Sequence, residues 1–308
     1  MTPKIAFVFP GQGSQSVGML KNIAADHVII KKTFEEASNA LGYDLWALCE
    51  AGPAEKLNQT EYTQPAILTA SVALWRLWGN ERESRPEFLA GHSLGEYSAF
   101  VCAKSISLND AVKLVALRGR LMQEAVAEGE GAMAAILGLD DTAVEAVCKE
   151  AKGLEKGVVS PANFNTPGQV VISGNLRPVL KAMEIAKAQG AKKVIQLPVS
   201  VPSHCELMKP AAAALEQALN QVSFNLPEIP VIQNVDVSIH EKPEEIRLAL
   251  IEQLYKPVRW VETIQRMAEK GVNTVFECGP GSVLTGLNKR IVSTLKCQSL
   301  STGEAVCL

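Results

Sequence analysis

Short apolar runs alternate with helical patterns along most of this chain, and this alternation limits the fold most strongly. Strand-like runs lie at 4–9 and from Phe88 onward, and helical patterns cover 17–25, 31–41 and 64–78. Strands that alternate with helices form a mostly parallel sheet with helices on both faces. The sequence therefore predicts an α/β fold.

The pattern changes at Glu128-Gly129-Glu130-Gly131, where a second, smaller domain is predicted to begin. Its predicted elements are, in order, strand 132–138, helix 141–152, strands 158–163 and 169–173, helix 177–189 and strand 193–197. The order β-α-β-β-α-β is the split arrangement of a ferredoxin-like domain. The α/β pattern then resumes, with strands at 230–233 and 274–277 and a last helix at 283–292. We therefore predict a core of residues 1–128 and 198–308 with an inserted domain of residues 129–197.

Composition and charge exclude several classes of protein. The 308 residues are 47% hydrophobic and 20% charged, with a net charge of −3, which argues against nucleic-acid binding through a positive field. The apolar run at Met1-Thr2-Pro3-Lys4-Ile5 is too short for a signal peptide, and no stretch approaches the ~18 apolar residues of a membrane span. The seven cysteines are scattered without a C-x-x-C pair, which favours free thiols in a reducing cytoplasm over zinc ligands or disulfides.

Ser93 is the candidate nucleophile. It lies in Gly91-His92-Ser93-Leu94-Gly95, a G-x-S-x-G pentapeptide that follows a strand-like run and opens a helical stretch. On a sharp strand-to-helix turn, a serine projects its hydroxyl above the sheet, and flanking glycines avoid collisions with the neighbouring backbone. The pentapeptide alone arises by chance in about one chain in ten of this length. The alternative is a glycine-rich turn whose serine has no function.

A serine hydroxyl needs a base to take its proton. The four histidines are His27, His92, His204 and His240. His27 and His240 have polar neighbours, and His92 is adjacent to Ser93 on a tight turn, where neighbouring side chains point apart. His204 remains. The run Ser203-His204-Cys205-Glu206 matches a capping box, which predicts His204 in a first helical turn. The alternative is a hydrogen-bonded histidine at a helix start.

A catalytic histidine also needs an acceptor for its second ring N–H. Asp236 is the candidate carboxylate in chain order, and a backbone or amide carbonyl would serve equally well. These alternatives stay open at this point. Cys205 is a less favoured nucleophile than Ser93, because its nearest candidate base is its own neighbour.

Arg118 is predicted to point into the core. Its helix is predicted from a capping box at Ser107 to about Val126, and the residues three and four positions from Arg118 are all apolar. An inward arginine must meet an acceptor, because its desolvation otherwise costs several kcal/mol. The partner is either an internal carboxylate or the carboxylate of a substrate, held by two hydrogen bonds.

The glycine-rich segment 11–18 follows the first strand. Its spacing, G-x-G-x-x-x-x-G, misses the dinucleotide fingerprint, and Met19-Leu20 occupy the positions where a P-loop has Lys and Ser or Thr. We predict that its backbone N–H groups stabilise an anion at a loop-to-helix junction. The alternative is a turn without a ligand.

Taken together, these motifs closely resemble the malonyl-CoA:acyl carrier protein transacylase family of bacterial fatty acid synthesis. The resemblance extends over nearly the whole chain. Its motifs are 9–15 (FPGQGSQ), 91–97 (GHSLGEY), 131–133 (GAM), 163–165 (NFN), 167–170 (PGQV), 201–204 (VPSH) and 279–281 (GPG).

The resemblance implies an α/β-hydrolase-like core with a parallel sheet and an inserted ferredoxin-like domain. It implies ping-pong transfer of a malonyl group from malonyl-CoA to the pantetheine thiol of acyl carrier protein. Ser93 is then the acylated nucleophile, and His204 is its base. The Gln253 carbonyl accepts the hydrogen bond from the second ring N–H of the histidine. The implied substrate-binding residues are Arg118 for the malonyl carboxylate, the Gln12 and Leu94 N–H groups for the oxyanion, and Asn163 and Asn165 near the coenzyme A entrance.

The resemblance also implies that the coenzyme A thioester is a substrate and that no cofactor or metal is needed. We expect a cytoplasmic monomer that binds malonyl-CoA and acyl carrier protein and neither nucleic acid nor membrane. An acidic carrier protein requires a local basic patch, for which the candidates are Lys192, Lys193, Lys289 and Arg290. The alternatives are a serine hydrolase or thioesterase of the same core fold and a non-catalytic subunit that binds the carrier protein.

Overall fold

Two β-sheets organise the chain. The computed structural model describes residues 4–81, 85–199 and 201–302. The strands are β1 Ile5–Phe9, β2 Phe88–Gly91, β3 Gly131–Leu137, β4 Val159–Thr166, β5 Gln169–Asn175, β6 Lys193–Gln196, β7 Val231–Ile232, β8 Thr274–Glu277 and β9 Lys296–Ser299. The α-helices are α1 Lys21–Asp26, α2 Val28–Leu41, α3 Leu45–Ala51, α4 Ala54–Leu57, α5 Thr60–Glu81, α6 Gly95–Cys102, α7 Leu108–Glu124, α8 Asp141–Leu154, α9 Leu176–Ala188, α10 Lys209–Gln221, α11 Pro243–Glu252, α12 Trp260–Glu269 and α13 Val283–Ile291.

The first sheet is parallel, with the strand order β7-β2-β1-β8-β9. Its central strand β1 is buried at every residue because helices cover both faces of the sheet. On one face Phe7 packs in the large core, with its ring centroid 5.1 Å from that of Trp75. On the other face Ala6 and Val8 pack in a second cluster with Trp260 of α12. The predicted α/β fold with a parallel sheet is confirmed.

The second sheet is antiparallel, with the strand order β4-β5-β3-β6. Helices α8 and α9 pack on one face. The other face holds a small apolar cluster that includes Met133 and Val171, and Leu197 packs against it. Val258, just before α12, forms two backbone hydrogen bonds with the edge strand β4. Its N–H donates to Ala162 O at 2.8 Å, and its carbonyl accepts from Phe164 N at 3.0 Å. These bonds attach the second sheet to the main body.

Several local predictions need correction. The first helix begins at Lys21 and not at residue 17, because Gly18 and Leu20 have left-handed φ values of 84° and 61°. The short helices α3 and α4 and the edge strand β9 were not predicted, since each has only four to seven residues and too little periodicity. The helix cap at Ser107 is confirmed, because its Oγ accepts a hydrogen bond from Asp110 N at 3.0 Å.

One negative finding concerns membranes. In the ranges that the structure describes, no helix combines the length and the apolar character that are needed to span a bilayer.

Close packing at the turn after β2 depends on two glycines. A Cβ atom on Gly91 would lie 1.8 Å from the Gly95 carbonyl carbon, and one on Gly95 would lie 2.0 Å from Phe9 O. Both obstacles are backbone atoms of buried elements, which cannot move aside cheaply. The glycines of the pentapeptide therefore allow α6 to begin directly above the end of β1.

Gly95→Ala is expected to lower the free energy of unfolding by ~1–3 kcal/mol or more, since this range is the usual cost of an overpacked core. The measurement is denaturant unfolding. The matched control is Gly286→Ala in α13, where a Cβ would meet no atom within 4 Å. That variant should gain ~0.5–1 kcal/mol, because alanine loses less backbone entropy than glycine in a helix. Equal stability of Gly95→Ala and the unsubstituted protein would contradict the packing argument.

Candidate active site

Ser93 lies on the turn between β2 and α6, at the carboxyl end of a strand of the parallel sheet. Its φ is 51°, in the left-handed region that non-glycine residues occupy at a cost of about 1–3 kcal/mol. The backbone around it is held firmly, because His92 N donates to Phe9 O and Ser93 N donates to Asn234 Oδ1. Ser93 thus has the strained conformation that its pentapeptide predicts.

A cavity of about 410 Å³ opens at Ser93 between the two sheets. Its wall includes Met133, Val171 and Leu197 from the apolar face of the second sheet. Seven of the eight predicted site residues line it: Gln12, Ser93, Leu94, Arg118, Asn163, Asn165 and His204. The eighth, Gln253, lies behind the wall, where it is fully buried.

His204 is held by the chain that follows α11. Its backbone N–H donates to Leu254 O at 2.9 Å, and its ring Nδ1 lies 2.7 Å from Gln253 O. A carbonyl can only accept, so Nδ1 carries the proton and Nε2 keeps a free lone pair. Burial, with the nearby Arg118 charge, lowers the pKa of His204 to about 3. The imidazole is therefore neutral at neutral pH, as a proton acceptor must be.

One sequence prediction about His204 is wrong, and one of the alternatives that the sequence left open for its partner is excluded. It does not lie in a first helical turn: its φ is 62°, and the following 3₁₀ helix begins at Glu206 without a side-chain cap. Residues with positive φ do not continue a right-handed helix. Asp236 is not its partner either, because the Asp236 carboxylate lies 2.9 Å from Nε2 of His240. The acceptor is the backbone carbonyl of Gln253, one of the alternatives that the sequence left open.

Arg118 is only 1% exposed, as its place on the apolar face of α7 predicts. Gly119 allows this placement: a Cβ there would lie 2.5 Å from Thr60 O, so glycine lets α7 approach α5 closely. The guanidinium donates to Gln64 Oε1 at 2.9 Å, to Gln253 Oε1 at 2.9 Å and to Ser93 Oγ at 3.1 Å.

Every one of these acceptors is neutral. Among the residues that the structure describes, no carboxylate forms an ion pair with Arg118, so the alternative of an internal carboxylate partner is wrong. Burial lowers the pKa of Arg118, although its ordinary value is so high that the group stays charged. A buried cation whose direct hydrogen-bond acceptors are all neutral, beside a cavity, favours an anionic ligand, because the attraction is strong where water is excluded.

Gln253 connects the three polar groups. Its carbonyl accepts from His204, its side-chain oxygen accepts from Arg118, and its Nε2 donates to Ser93 O at 3.0 Å. A single residue at the end of α11 thus sets the relative positions of the imidazole, the guanidinium and the serine turn.

The glycine-rich loop packs against this turn. A Cβ on Gly11 would lie 2.6 Å from His92 O, and Gln12 Nε2 donates to Thr60 Oγ1 at 3.2 Å. In the described part of the chain, the backbone N–H groups of Gln12 and Leu94 donate to no protein acceptor. The loop does not lead directly into a helix, however, because α1 begins only at Lys21.

The second sheet contributes two asparagines to the cavity. Asn165 Oδ1 lies 2.9 Å from Nε2 of His92, whose ring also packs against Trp260 at a centroid distance of 5.4 Å. His92 also lines the cavity, but its ring is hydrogen-bonded to Asn165, and burial lowers the pKa of this imidazole. Asn163 is 6% exposed on the same wall.

Some residues of the site carry no sequence signal. Gln64 and Asn234 are fully buried and hydrogen-bonded to Arg118 and to the Ser93 backbone, but nothing in their local sequence distinguishes them. Cys205 is buried with its thiol on Pro202 O, and burial raises the pKa of that thiol, which disfavours it as a nucleophile. Six cysteines are free and buried, and Cys307 lies outside the described residues.

No cluster of metal-binding side chains is found in the ranges 4–81, 85–199 and 201–302: three or more His, Cys, Asp or Glu residues nowhere converge there in a suitable way.

A serine on a strand-to-helix turn, a neutral histidine and a buried arginine around one cavity are features of an acyl-transferring enzyme. A family model described as the acyl transferase domain matches residues 6–304, and the chain belongs to this family. It is 57% identical to the malonyl CoA-acyl carrier protein transacylase of Escherichia coli (strain K12) over 303 residues, which are 98% of this chain and 97% of that protein.

Solved structures agree. An acyl carrier protein S-malonyltransferase from Vibrio cholerae superposes with a TM-score of 0.94 at 56% identity, with 96% of both chains covered. A second match, with a TM-score of 0.95 at 54% identity, covers 97% of this chain and 96% of the other. It is described as a type II PKS acyl-carrier protein in complex with its malonyl-transacylase.

Proposed function

We propose that this protein is an acyl carrier protein S-malonyltransferase, which moves a malonyl group from malonyl-CoA to the pantetheine thiol of acyl carrier protein. The observation that carries this proposal is the Arg118 guanidinium, which is buried, has only neutral partners and lies 3.1 Å from Ser93 Oγ. In a malonyl group the carboxylate is separated from the reacting carbonyl by one methylene. A cation this close to the nucleophile fits such a short diacid.

In the first half-reaction, Ser93 Oγ attacks the thioester carbonyl while His204 Nε2 takes its proton. The tetrahedral intermediate collapses, the C–S bond breaks, and His204 returns the proton to the coenzyme A sulfur. The malonyl group stays on Ser93 as an ester. Arg118 holds its carboxylate with a fork of two hydrogen bonds, and the hydrogen bond from Arg118 to Ser93 Oγ gives way to them.

The oxyanion is held by the backbone N–H groups of Gln12 and Leu94. Both residues line the cavity, and both N–H groups lack a protein acceptor in the described part of the chain. Loss of one such donor typically costs ~3–4 kcal/mol of transition-state stabilisation. Asn163 and Asn165 contact the pantetheine arm in this proposal, which is supported by their position in the cavity wall.

In the second half-reaction, the pantetheine thiol of acyl carrier protein gives its proton to His204 and attacks the Ser93 ester. The steps of the first half then run in reverse, and the malonyl thioester of the carrier leaves. Exchange of one thioester for another is nearly balanced in free energy, so the chemistry draws on no cofactor. The four predicted basic contacts for an acidic carrier, Lys192, Lys193, Lys289 and Arg290, are all exposed.

We also propose the finer architecture. The first sheet and its helices form an α/β-hydrolase-like core of residues 1–128 and 198–308, and residues 129–197 form a ferredoxin-like insert. The order β3-α8-β4-β5-α9-β6 and the strand order β4-β5-β3-β6 support this division. The six buried free thiols support a cytoplasmic location.

The proposal is tested by mixing the protein with malonyl-CoA and recording its intact mass. We expect a gain of one malonyl group per chain, which disappears when acyl carrier protein with a free pantetheine thiol is added and which reappears on the carrier. Acetyl-CoA should label the protein far less. Release of free malonate as fast as coenzyme A would instead indicate a hydrolase, and absence of any covalent adduct would reject the proposal.

A further inference from the structure

Asn234 lies beside the nucleophile turn because of the sheet topology. Strand β7 pairs in parallel with β2, and Ile232 is opposite Ala90. The chain therefore leaves β7 next to the point where it leaves β2, and Asn234 follows Ile232 by two residues, as His92 follows Ala90. The Asn234 side chain is fully buried and does not line the cavity around Ser93.

The Asn234 amide bonds to both sides of the turn. Its Oδ1 accepts from Ser93 N at 2.8 Å, and its Nδ2 donates to Gly91 O at 2.7 Å. Because one partner is a donor and the other an acceptor, the orientation of this amide is unambiguous. Asn234 thus satisfies backbone groups that would otherwise be buried without partners where β2 ends.

The main chain of Asn234 is itself fixed. Its N–H donates to Glu96 Oε2 at 2.8 Å, and Gln233 Nε2 donates to Glu96 Oε1 at 2.9 Å. Its carbonyl accepts from Arg259 N at 3.2 Å. Glu96 belongs to the first turn of α6, the helix that begins directly after Ser93, and burial raises the pKa of this carboxyl to about 7. The clamp on the turn is therefore anchored to the helix that the turn opens.

We infer that Asn234 is a positioning residue of the catalytic serine: it holds Ser93 in its left-handed conformation, and so keeps Oγ beside Arg118 and the Leu94 N–H pointed at the oxyanion. This inference rests on the proposed function. Without the clamp, Ser93 would relax toward an unstrained φ, and a displacement of about 1 Å costs ~100-fold in rate. Substrate binding is retained, because Asn234 does not line the cavity.

The test uses Asn234→Leu, which keeps the shape and removes both hydrogen bonds, and Asn234→Asp, which keeps the acceptor for Ser93 N. Stopped-flow measurement of Ser93 acylation by malonyl-CoA gives the rate constant at saturation and the half-saturating concentration separately. We expect the Leu variant to lose about 100-fold in the rate constant with little change in half-saturation. The Asp variant should lose less, because the bond to the Ser93 backbone remains.

The control is Asn288→Leu, which removes another fully buried asparagine, whose Oδ1 accepts from Trp260 Nε1 at 3.0 Å, and which does not line the cavity. It should lose stability without a comparable loss of acylation rate. If Asn234→Leu acylates as fast as the control, or if only its half-saturation changes, the inference is wrong. If Asn234→Leu does not fold, Asn234→Ala, which also removes both hydrogen bonds, takes its place, and an unsubstituted acylation rate constant in that variant overturns the inference.

A substrate-independent probe separates this inference from the proposed function. An organofluorophosphonate phosphonylates an activated serine without any malonyl group. If the unsubstituted protein forms no malonyl-enzyme, the proposed function fails. Slower phosphonylation of Ser93 in the Asn234 variants would still support the positioning role, and equal rates would refute it.

Discussion

Ser93→Ala is expected to abolish the malonyl-enzyme and to reduce transfer to acyl carrier protein by at least ~10⁴-fold, as for other enzymes that lose their nucleophile. The reason is that the malonyl ester forms on Ser93 Oγ, the atom that this substitution removes. His204 and Arg118 remain, but neither leads to a stable ester. Intact-mass analysis after mixing with malonyl-CoA measures the first effect, and steady-state transfer measures the second.

Ser98→Ala is the matched control. Ser98 lies on α6 close to Ser93 and is fully buried, and its hydroxyl has no hydrogen-bond partner in the part of the chain that the structure describes. Its removal should leave the malonyl-enzyme intact. A covalent malonyl adduct that persists in Ser93→Ala at the unsubstituted level would reject Ser93 as the nucleophile.

Arg118→Ala should lower kcat/KM for malonyl-CoA, because transition-state stabilisation falls by about 2–5 kcal/mol. This is the usual loss when one partner of a buried charge pair is removed. This corresponds to a decrease of about 30- to 5,000-fold. Acetyl-CoA has no carboxylate, so its weak reaction should fall much less. The selectivity for malonyl over acetyl groups, measured as the ratio of the two kcat/KM values, should therefore collapse.

Two further variants distinguish the effect of the Arg118 charge from a general disturbance of the helix. Arg120→Ala removes an exposed arginine from the same helix and should change neither kcat/KM value. Arg118→Lys keeps the charge but not the planar fork, so it should recover part of the selectivity. A comparable loss for malonyl and acetyl thioesters in Arg118→Ala would instead indicate that Arg118 serves only to order Gln64, Gln253 and Ser93.

Local sequence patterns predicted most of the fold correctly. The strand Thr274–Glu277 matches its prediction residue for residue, and the six elements of the segment β3-α8-β4-β5-α9-β6 lie within a few residues of their predicted positions. Errors occurred where tertiary contacts decide the backbone. The loop 17–20 has an apolar helical pattern, but its left-handed residues and the bond from Gly18 N to Cys49 O prevent a helix.

The environment of His204 shows the same limit. A capping box has the right residue types at Ser203 and Glu206, but the chain turns the other way because the N–H of His204 is taken by Leu254 O. That acceptor is 50 residues away in sequence, and no local pattern reports it. The Asp236 alternative failed for a different reason, since its carboxylate pairs with His240, four residues away in the chain.

The sequence by itself determined the periodicities and the inward direction of Arg118, because each depends on residues within about one helical turn, and its G-x-S-x-G pentapeptide marked the crowded serine turn. Only the tertiary structure decided that the guanidinium meets neutral amides instead of a carboxylate, that a backbone carbonyl orients the imidazole, and that Asn234 clamps the serine turn. These contacts join residues 49 to 143 positions apart. Their geometry is set by how helices and strands pack, a property of the whole folded chain that no short segment contains.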